Sequence, residues 1–170
     1  MMIQALDEAK KCEPKPTAFC VGCVLVTRLP GFRPVILTRG YSRELQGNTH
    51  AEANALSKAH NLSEDQIHAL FPLANHGVLD IHSILHATDI YTTMEPCSIR
   101  TSGLAPCADA LIKAGIQRCI IGVGEPRDFV TCEGARKLVG AGTEVVWLKG
   151  MEQECLSVAR RGHSCDTETS

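Results

Sequence analysis

His50 and Glu52 stand two residues apart, and two Pro-Cys pairs follow them, Pro96-Cys97 and Pro106-Cys107. Imidazole and thiolate are both zinc donors. One imidazole and two thiolates make three protein ligands, the number found when tetrahedral zinc keeps its fourth position open for water. Glu52 cannot also bind a four-coordinate metal if that water is to stay, so its carboxylate is left to move protons. The chemistry this set offers is hydrolysis at a carbon brought to the open position, with zinc making the water acidic enough to attack near neutral pH.

Taken singly, a histidine or a buried cysteine usually packs in a core. What selects the metal reading is the joint pattern: each ligand sits at the end of an element, in order, with a carboxylate two residues past the histidine. His50 opens a stretch to His60 with Ala53, Leu56 and Ala59 on one side, a helix capped by Asn48 or Thr49. Thr88 to Met94 alternates as a strand, and Glu95-Pro96-Cys97 ends it. Pro106 and Cys107 open a helix to Ala114, with Gly115 as the left-handed residue beyond it. Helix N-termini favour thiolate over thiol, so Cys107 gains from its position.

The rest of the chain supplies a frame. Residues 2–12 have helical spacing and stop at Glu13-Pro14-Lys15-Pro16. Phe19 to Thr27 reads as a strand buried on both faces, and Pro34 to Tyr41 as its antiparallel hairpin partner. Residues 61–87 read as an insertion with a short helix opening at Glu64-Asp65. Ile116 to Val123 and Thr143 to Leu148 are a fourth and a fifth strand, joined through a helix from Cys132 to Val139 ending at Gly140, and are therefore parallel. A last helix spans Met151 to Arg161. The expected domain is residues 1–161, with 162–170 a polar, disordered tail.

Composition limits the function classes. The 170 residues carry a formal net charge of −2, which gives no general attraction to nucleic acid or anionic membranes. Seven aromatic residues are too few for a base-stacking groove. No apolar run approaches a membrane span, and Met1 to Lys10 lacks the features of an export signal. Nine cysteines cannot all pair, so a reducing, cytoplasmic setting is expected, with the nucleus also open. Cys20 and Cys23 lie on opposite faces of the expected strand and read as packing, as does Cys119. Cys12, Cys132, Cys155 and Cys165 belong to no motif. His60, His68, His76, His82 and His86 match no usual ligand spacing and are not read as a second metal cluster.

The His-Ala-Glu and paired Pro-Cys pattern resembles the signature of zinc-dependent base deaminases. Nine residues, 98 to 106, separate the two cysteines, where cytidine, tRNA and nucleic-acid-editing deaminases have about two to four. That gap, Glu95-Pro96-Cys97-Ser98, and Pro106 through Ile116 look like the riboflavin-biosynthesis pyrimidine deaminase family, as do Val21-Gly22 and His50 through Leu56. The resemblance runs from about Ala5 to Trp147. It implies an α/β/α deaminase fold with a five-stranded mixed sheet in the order 2-1-3-4-5, one zinc per subunit, and association as a homodimer. It also implies hydrolysis of the 2-amino group of a diaminopyrimidinone ribosyl or ribityl 5′-phosphate, a small pyrimidine phosphate substrate. A cytosine nucleotide or nucleoside deaminase is the alternative, and a non-catalytic zinc-binding subunit a remoter one.

Three places depart from the bacterial members of that family. Ala18-Phe19 replaces their Asn-Pro, Tyr41-Ser42-Arg43 replaces a segment with histidine, and Gly103-Leu104 replaces their Lys-Thr. These differences, the 61–87 insertion and the absence of a reductase domain resemble the fungal, ribityl-specific form. Arg100, Thr101 and Ser102, between the two cysteine ligands, are the first candidates for substrate binding, and Ala51 and Ser98 are counted with them. Asn48 is expected to bond either the pyrimidine or its own helix terminus. Arg127, after the fourth strand, is a candidate for the phosphate.

Overall fold

The computed structural model describes residues 1–72, 79–100, 103–126 and 133–163. In chain order the elements are α1 (Met2–Lys11), β1 (Gly22–Thr27), β2 (Val35–Tyr41), α2 (Ala51–His60), α3 (Glu64–Leu70), α4 (Ile81–His86), β3 (Thr88–Met94), α5 (Cys107–Ala114), β4 (Arg118–Val123), α6 (Gly134–Gly140), β5 (Glu144–Trp147) and α7 (Glu152–Ala159). The strands make one sheet in the order β2-β1-β3-β4-β5. β1 is antiparallel to both β2 and β3, whereas β3, β4 and β5 run parallel. The expected order and the parallel β4–β5 pair are both present.

Strand side chains alternate between faces, and each face has its own apolar layer. Leu25, Ile90 and Ile121 meet Ala55, Leu111 and Leu138 from α2, α5 and α6. Val24, Val26 and Ile120 meet Leu6 of α1 and Val158 of α7 on the other side. A sheet covered on both faces accounts for the unbroken apolar run of β1, whose six residues are all buried.

Several boundaries differ from expectation. β1 begins at Gly22, not Phe19, because Cys20 N–H donates to the Ala159 carbonyl and Val21 N–H to Ser42 Oγ instead of joining the ladder. Cys20 thus lies outside the strand while Cys23 lies in the α2-side core. β4 starts at Arg118, since Ile116 N–H still bonds Leu111 in the turn that closes α5 around left-handed Gly115. The fifth strand and the last helix are each shorter at both ends than read. α6 includes Gly140, and Cys132 lies outside the described residues.

The 61–87 insertion holds a second helix, α4, that periodicity did not show. Asp80 caps it, its carboxylate accepting from Ser83 N–H at 3.0 Å and Ser83 Oγ at 2.8 Å. Six residues are too few for a helical period to stand out. At the other end of the chain, Arg161 Nη2 donates to the carbonyls of Ala9, Lys10 and Cys12, closing the end of α1. The His163 ring stacks on Phe19. Residues 164–170 of the expected tail lie outside the described residues.

Candidate active site

Three element ends converge where β3 finishes. His50 is itself the N-cap of α2, with extended backbone (φ −94°, ψ 153°) and no side-chain cap bond. The expected caps do not serve: Thr49 Oγ1 is held by the Leu45 backbone and by Asn54 Nδ2. Freed from capping, the imidazole turns inward. Its Nδ1 lies 3.4 Å from Cys97 Sγ and 3.5 Å from Cys107 Sγ. Tetrahedral zinc, with Zn–S of about 2.3 Å and Zn–N of about 2.05 Å, sets N···S edges of about 3.6 Å, so this donor set is sized for the ion. It is the one group of three or more such donors among the described residues; His76 lies outside them.

Helix α5 prepares the thiolates. Cys107 N–H donates to Cys97 Sγ at 3.3 Å and Ala108 N–H to the Cys97 carbonyl at 3.1 Å, so the free amides of the first turn point at the ligand. The Cys97 thiol is held far below its ordinary range, first by the hydrogen bond from the Cys107 thiol and then by His50. Cys107, the donor of that pair, is pushed up. His50 is raised by its bond to Cys97. Of the two thiols, Cys97 is the one the site favours as thiolate.

Glu52, in the first turn of α2, is 3% exposed. Burial raises its carboxyl, and the Cys97 charge raises it further. It shares a cavity of about 180 Å³ with His50 and Cys97, walled by Thr17, Ala18, Phe19, Ser42, Arg43, Asn48, Glu95 and Glu125. Arg43 fastens this wall from the left-handed region (φ 61°): Nη1 donates to the Phe19 carbonyl, and Nη2 to the Glu13 carbonyl and Cys12 Sγ.

The other expected contacts divide. Asn48 lines the cavity, and its carbonyl accepts from Arg100 Nη2 at 2.8 Å, which ties the loop after Cys97 to the loop before His50. Ser98 faces away, its Oγ accepting from Glu133 N–H at 3.1 Å. Ala51 is wholly buried in the core. Thr101, Ser102 and Arg127 lie outside the described residues. Sequence reasoning gave no role to Thr17, Arg43, Glu95 or Glu125, because they reach the cavity from four separate loops. Two of the three departures from the bacterial pattern, Ala18-Phe19 and Ser42-Arg43, form cavity wall.

Residues 1–123 match the family described as the cytidine and deoxycytidylate deaminase zinc-binding region. The diaminohydroxyphosphoribosylamino-pyrimidine deaminase of Schizosaccharomyces pombe is 40% identical over 95% of this chain and 35% of its own length. The chain spans about a third of the length of the curated relatives it matches. The Rib2 deaminase of Aspergillus oryzae, a C-terminal deletion mutant at pH 4.6, superposes with a TM-score of 0.75 at 35% identity, covering 96% of this chain and 91% of that one. The same protein in complex with DARIPP gives 0.72 at 32% identity, over 96% and 90%. With its His50, Cys97 and Cys107 cluster, its sheet order and these likenesses, the chain belongs to the zinc-binding cytidine and deoxycytidylate deaminase family, in which the Schizosaccharomyces and Aspergillus proteins are its relatives.

Proposed function

We propose that the chain hydrolyses the 2-amino group of a diaminopyrimidinone ribitylamino 5′-phosphate and releases ammonia. The observation that carries this is a buried carboxylate, Glu52, sharing a cavity with His50 and Cys97 of a three-ligand zinc set. Zinc held by His50, Cys97 and Cys107 supplies the Lewis acidity that makes water a nucleophile near neutral pH. Glu52 carries the protons: it accepts one as water attacks the amine-bearing carbon and passes it to the ring nitrogen, then takes the remaining hydroxyl proton of the adduct and delivers it to the amino group, which departs as ammonia as the carbonyl forms. Its raised pKa suits a group that must both take and give.

The pyrimidine substrate is supported by the long Cys97–Cys107 spacing and by the printed names of the relatives. The ribityl form is supported by the position of the departures from the bacterial pattern on the cavity wall. Purified protein is assayed for ammonia release on the ribityl and ribosyl diaminopyrimidine phosphates, dCMP and cytidine. Activity on the ribityl compound is expected, and activity on cytosine compounds alone overturns the assignment.

The same reading includes a homodimer, with exposed Ile99 and Leu104 on the loop between the cysteine ligands as apolar surface for a second copy. Light scattering at two concentrations tests it, and a monomer at both refutes it. It also includes a cytoplasmic setting, supported by seven described cysteines that are all free thiols. Among the described residues no helix is long and apolar enough to cross a membrane.

A further inference from the structure

Buried carboxylates need donors, because each oxygen removed from water without a partner is left unsatisfied. On the core side of Glu52 the sheet offers few: Cys23 and Cys119, both buried thiols pushed up by burial and then by the charge of Glu52 itself, are neutral neighbours. Thr92 is different. It stands on β3 paired with Cys23 across the β1–β3 ladder, two residues beyond Ile90 and so on the face that meets α2. Its Oγ1 lies 3.2 Å from Glu52 Oε1 and 3.0 Å from the carbonyl of Met94, and the residue is wholly buried.

The other β3 threonines show that this contact is not simply what a buried threonine does. Thr88 Oγ1 bonds the Ile84 carbonyl and Thr27, and Thr93 Oγ1 accepts from Gly22 N–H. Both serve the frame. Thr92 is the one whose hydroxyl reaches the carboxylate, and the Met94 carbonyl, three residues before Cys97, is the alternative acceptor for its single proton. One short stretch of β3 and its exit thus places both a metal ligand and the anchor of the proton carrier.

We infer that Thr92 is a positioning residue for the deamination proposed above: its hydroxyl, lying between Met94 and Glu52, holds Oε1 of Glu52 so that the carboxylate keeps one orientation toward the cavity. The hydroxyl has one proton, so it gives that proton to Oε1 when Glu52 is a carboxylate, and when Glu52 is a carboxylic acid it accepts from it and donates to the Met94 carbonyl instead. A loose carboxylate would still be near the reacting atoms but would spend less time aligned, and misplacement on the scale of an ångström costs turnover by up to about a hundredfold.

The assignment rests on the deaminase reading, and the test separates the two. Zinc-loaded wild type, Thr92→Val, Thr92→Ser, Glu52→Gln and the Glu52→Gln/Thr92→Val double variant are compared for kcat, KM, zinc content and melting temperature, and Thr92→Val is crystallised. Valine keeps the shape and removes the hydroxyl. Expected are one zinc per chain, KM near wild type and kcat lower by about 10- to 100-fold in Thr92→Val. Serine should recover kcat to within a few-fold. The double variant should be no slower than Glu52→Gln, because residues acting as a unit are not additive.

A Thr92→Val enzyme with wild-type kcat overturns the inference. So does an equal further loss in the Glu52→Gln background, or a serine variant no better than valine. Should Thr92→Val unfold, the serine variant and Thr92→Ala decide by the same kcat-against-KM split. If wild type fails on the diaminopyrimidine, the proposed function falls, while the Thr92→Val crystal structure still reads the inference: an unmoved Glu52 carboxylate refutes it and a displaced or split one supports it.

Discussion

Gly40 of β2 passes directly beneath Ala51 of α2, so closely that a Cβ at position 40 would overlap the Ala51 carbonyl oxygen and sit 2.8 Å from the Ala55 nitrogen. The missing side chain lets the first turn of α2 lie on the sheet. That turn begins beside His50 and contains Glu52.

Gly40→Ala is therefore expected to push α2 off the sheet and shift ligand and proton carrier together. Overpacking of this kind costs about 1–3 kcal/mol, or several degrees in Tm for a domain of this size. Thermal melts, zinc content and turnover check it. Loss of stability with unchanged zinc and kcat would show that the site tolerates movement of α2.

Glu52→Gln keeps the shape of the side chain and removes its capacity to accept a proton. One zinc per chain is expected to remain, because His50, Cys97 and Cys107 are untouched, while kcat falls by about 10²- to 10⁴-fold. Metal analysis beside steady-state kinetics is the measurement. Normal turnover would remove Glu52 from the proton path.

Chelation should expose the ligands. All seven described cysteines are buried, so thiol reagents should reach them slowly in the zinc-loaded protein. Cys97 borders the cavity, and removing the ion should make it the first of the seven to be labelled, as read by peptide mapping. Tm should fall on chelation and recover with added zinc, since an ion that binds only the folded chain stabilises it by mass action, about 2.7 kcal/mol at a hundred times Kd. Unchanged labelling and Tm would argue against a bound metal.

Acid stability of the insertion should depend on Asp80. Its carboxyl is held below the ordinary 3.8 by Ser83 N–H and then by the Ser83 hydroxyl. A depressed folded pKa means that the contribution is complete above 3.8 and fades as pH falls through the lower folded value. Asp80→Ala should thus melt below wild type at neutral pH, with the gap closing below 3.8. A constant gap across that range would show that the charge of the cap is unimportant.

The chemistry was legible in the sequence because it depends on residue types and on which element ends carry them. His50, Glu52, Cys97 and Cys107 sit at helix starts and a strand end, and those signals are local: a Pro before each cysteine, an alanine-rich run after His50, a Gly after Ala114. Connection lengths allowed the hairpin between β1 and β2 and required the crossover between β4 and β5, while the full sheet order was what the family resemblance implied. Errors fell where a contact made on folding overrode a composition or capping preference. Phe19 to Val21 has strand composition, yet Cys20 bonds the end of α7; Asn48 and Thr49 have capping side chains, yet Thr49 is taken by Leu45 and Asn54.

Sequence alone therefore pointed to His50, Cys97 and Cys107 as a donor set with Glu52 beside it, and to the hairpin and the crossover of the sheet, each readable from neighbours in the chain. Tertiary structure decided what surrounds them. Arg43 holds the 13–19 segment as cavity wall, Ser98 turns toward Glu133, Arg100 fastens onto Asn48, and Thr92 meets Glu52. These pairs lie between 24 and 52 residues apart, too far for any local pattern to register. Their partners are chosen by packing of helices on a twisted sheet, where small shifts in register or boundary redirect a side chain.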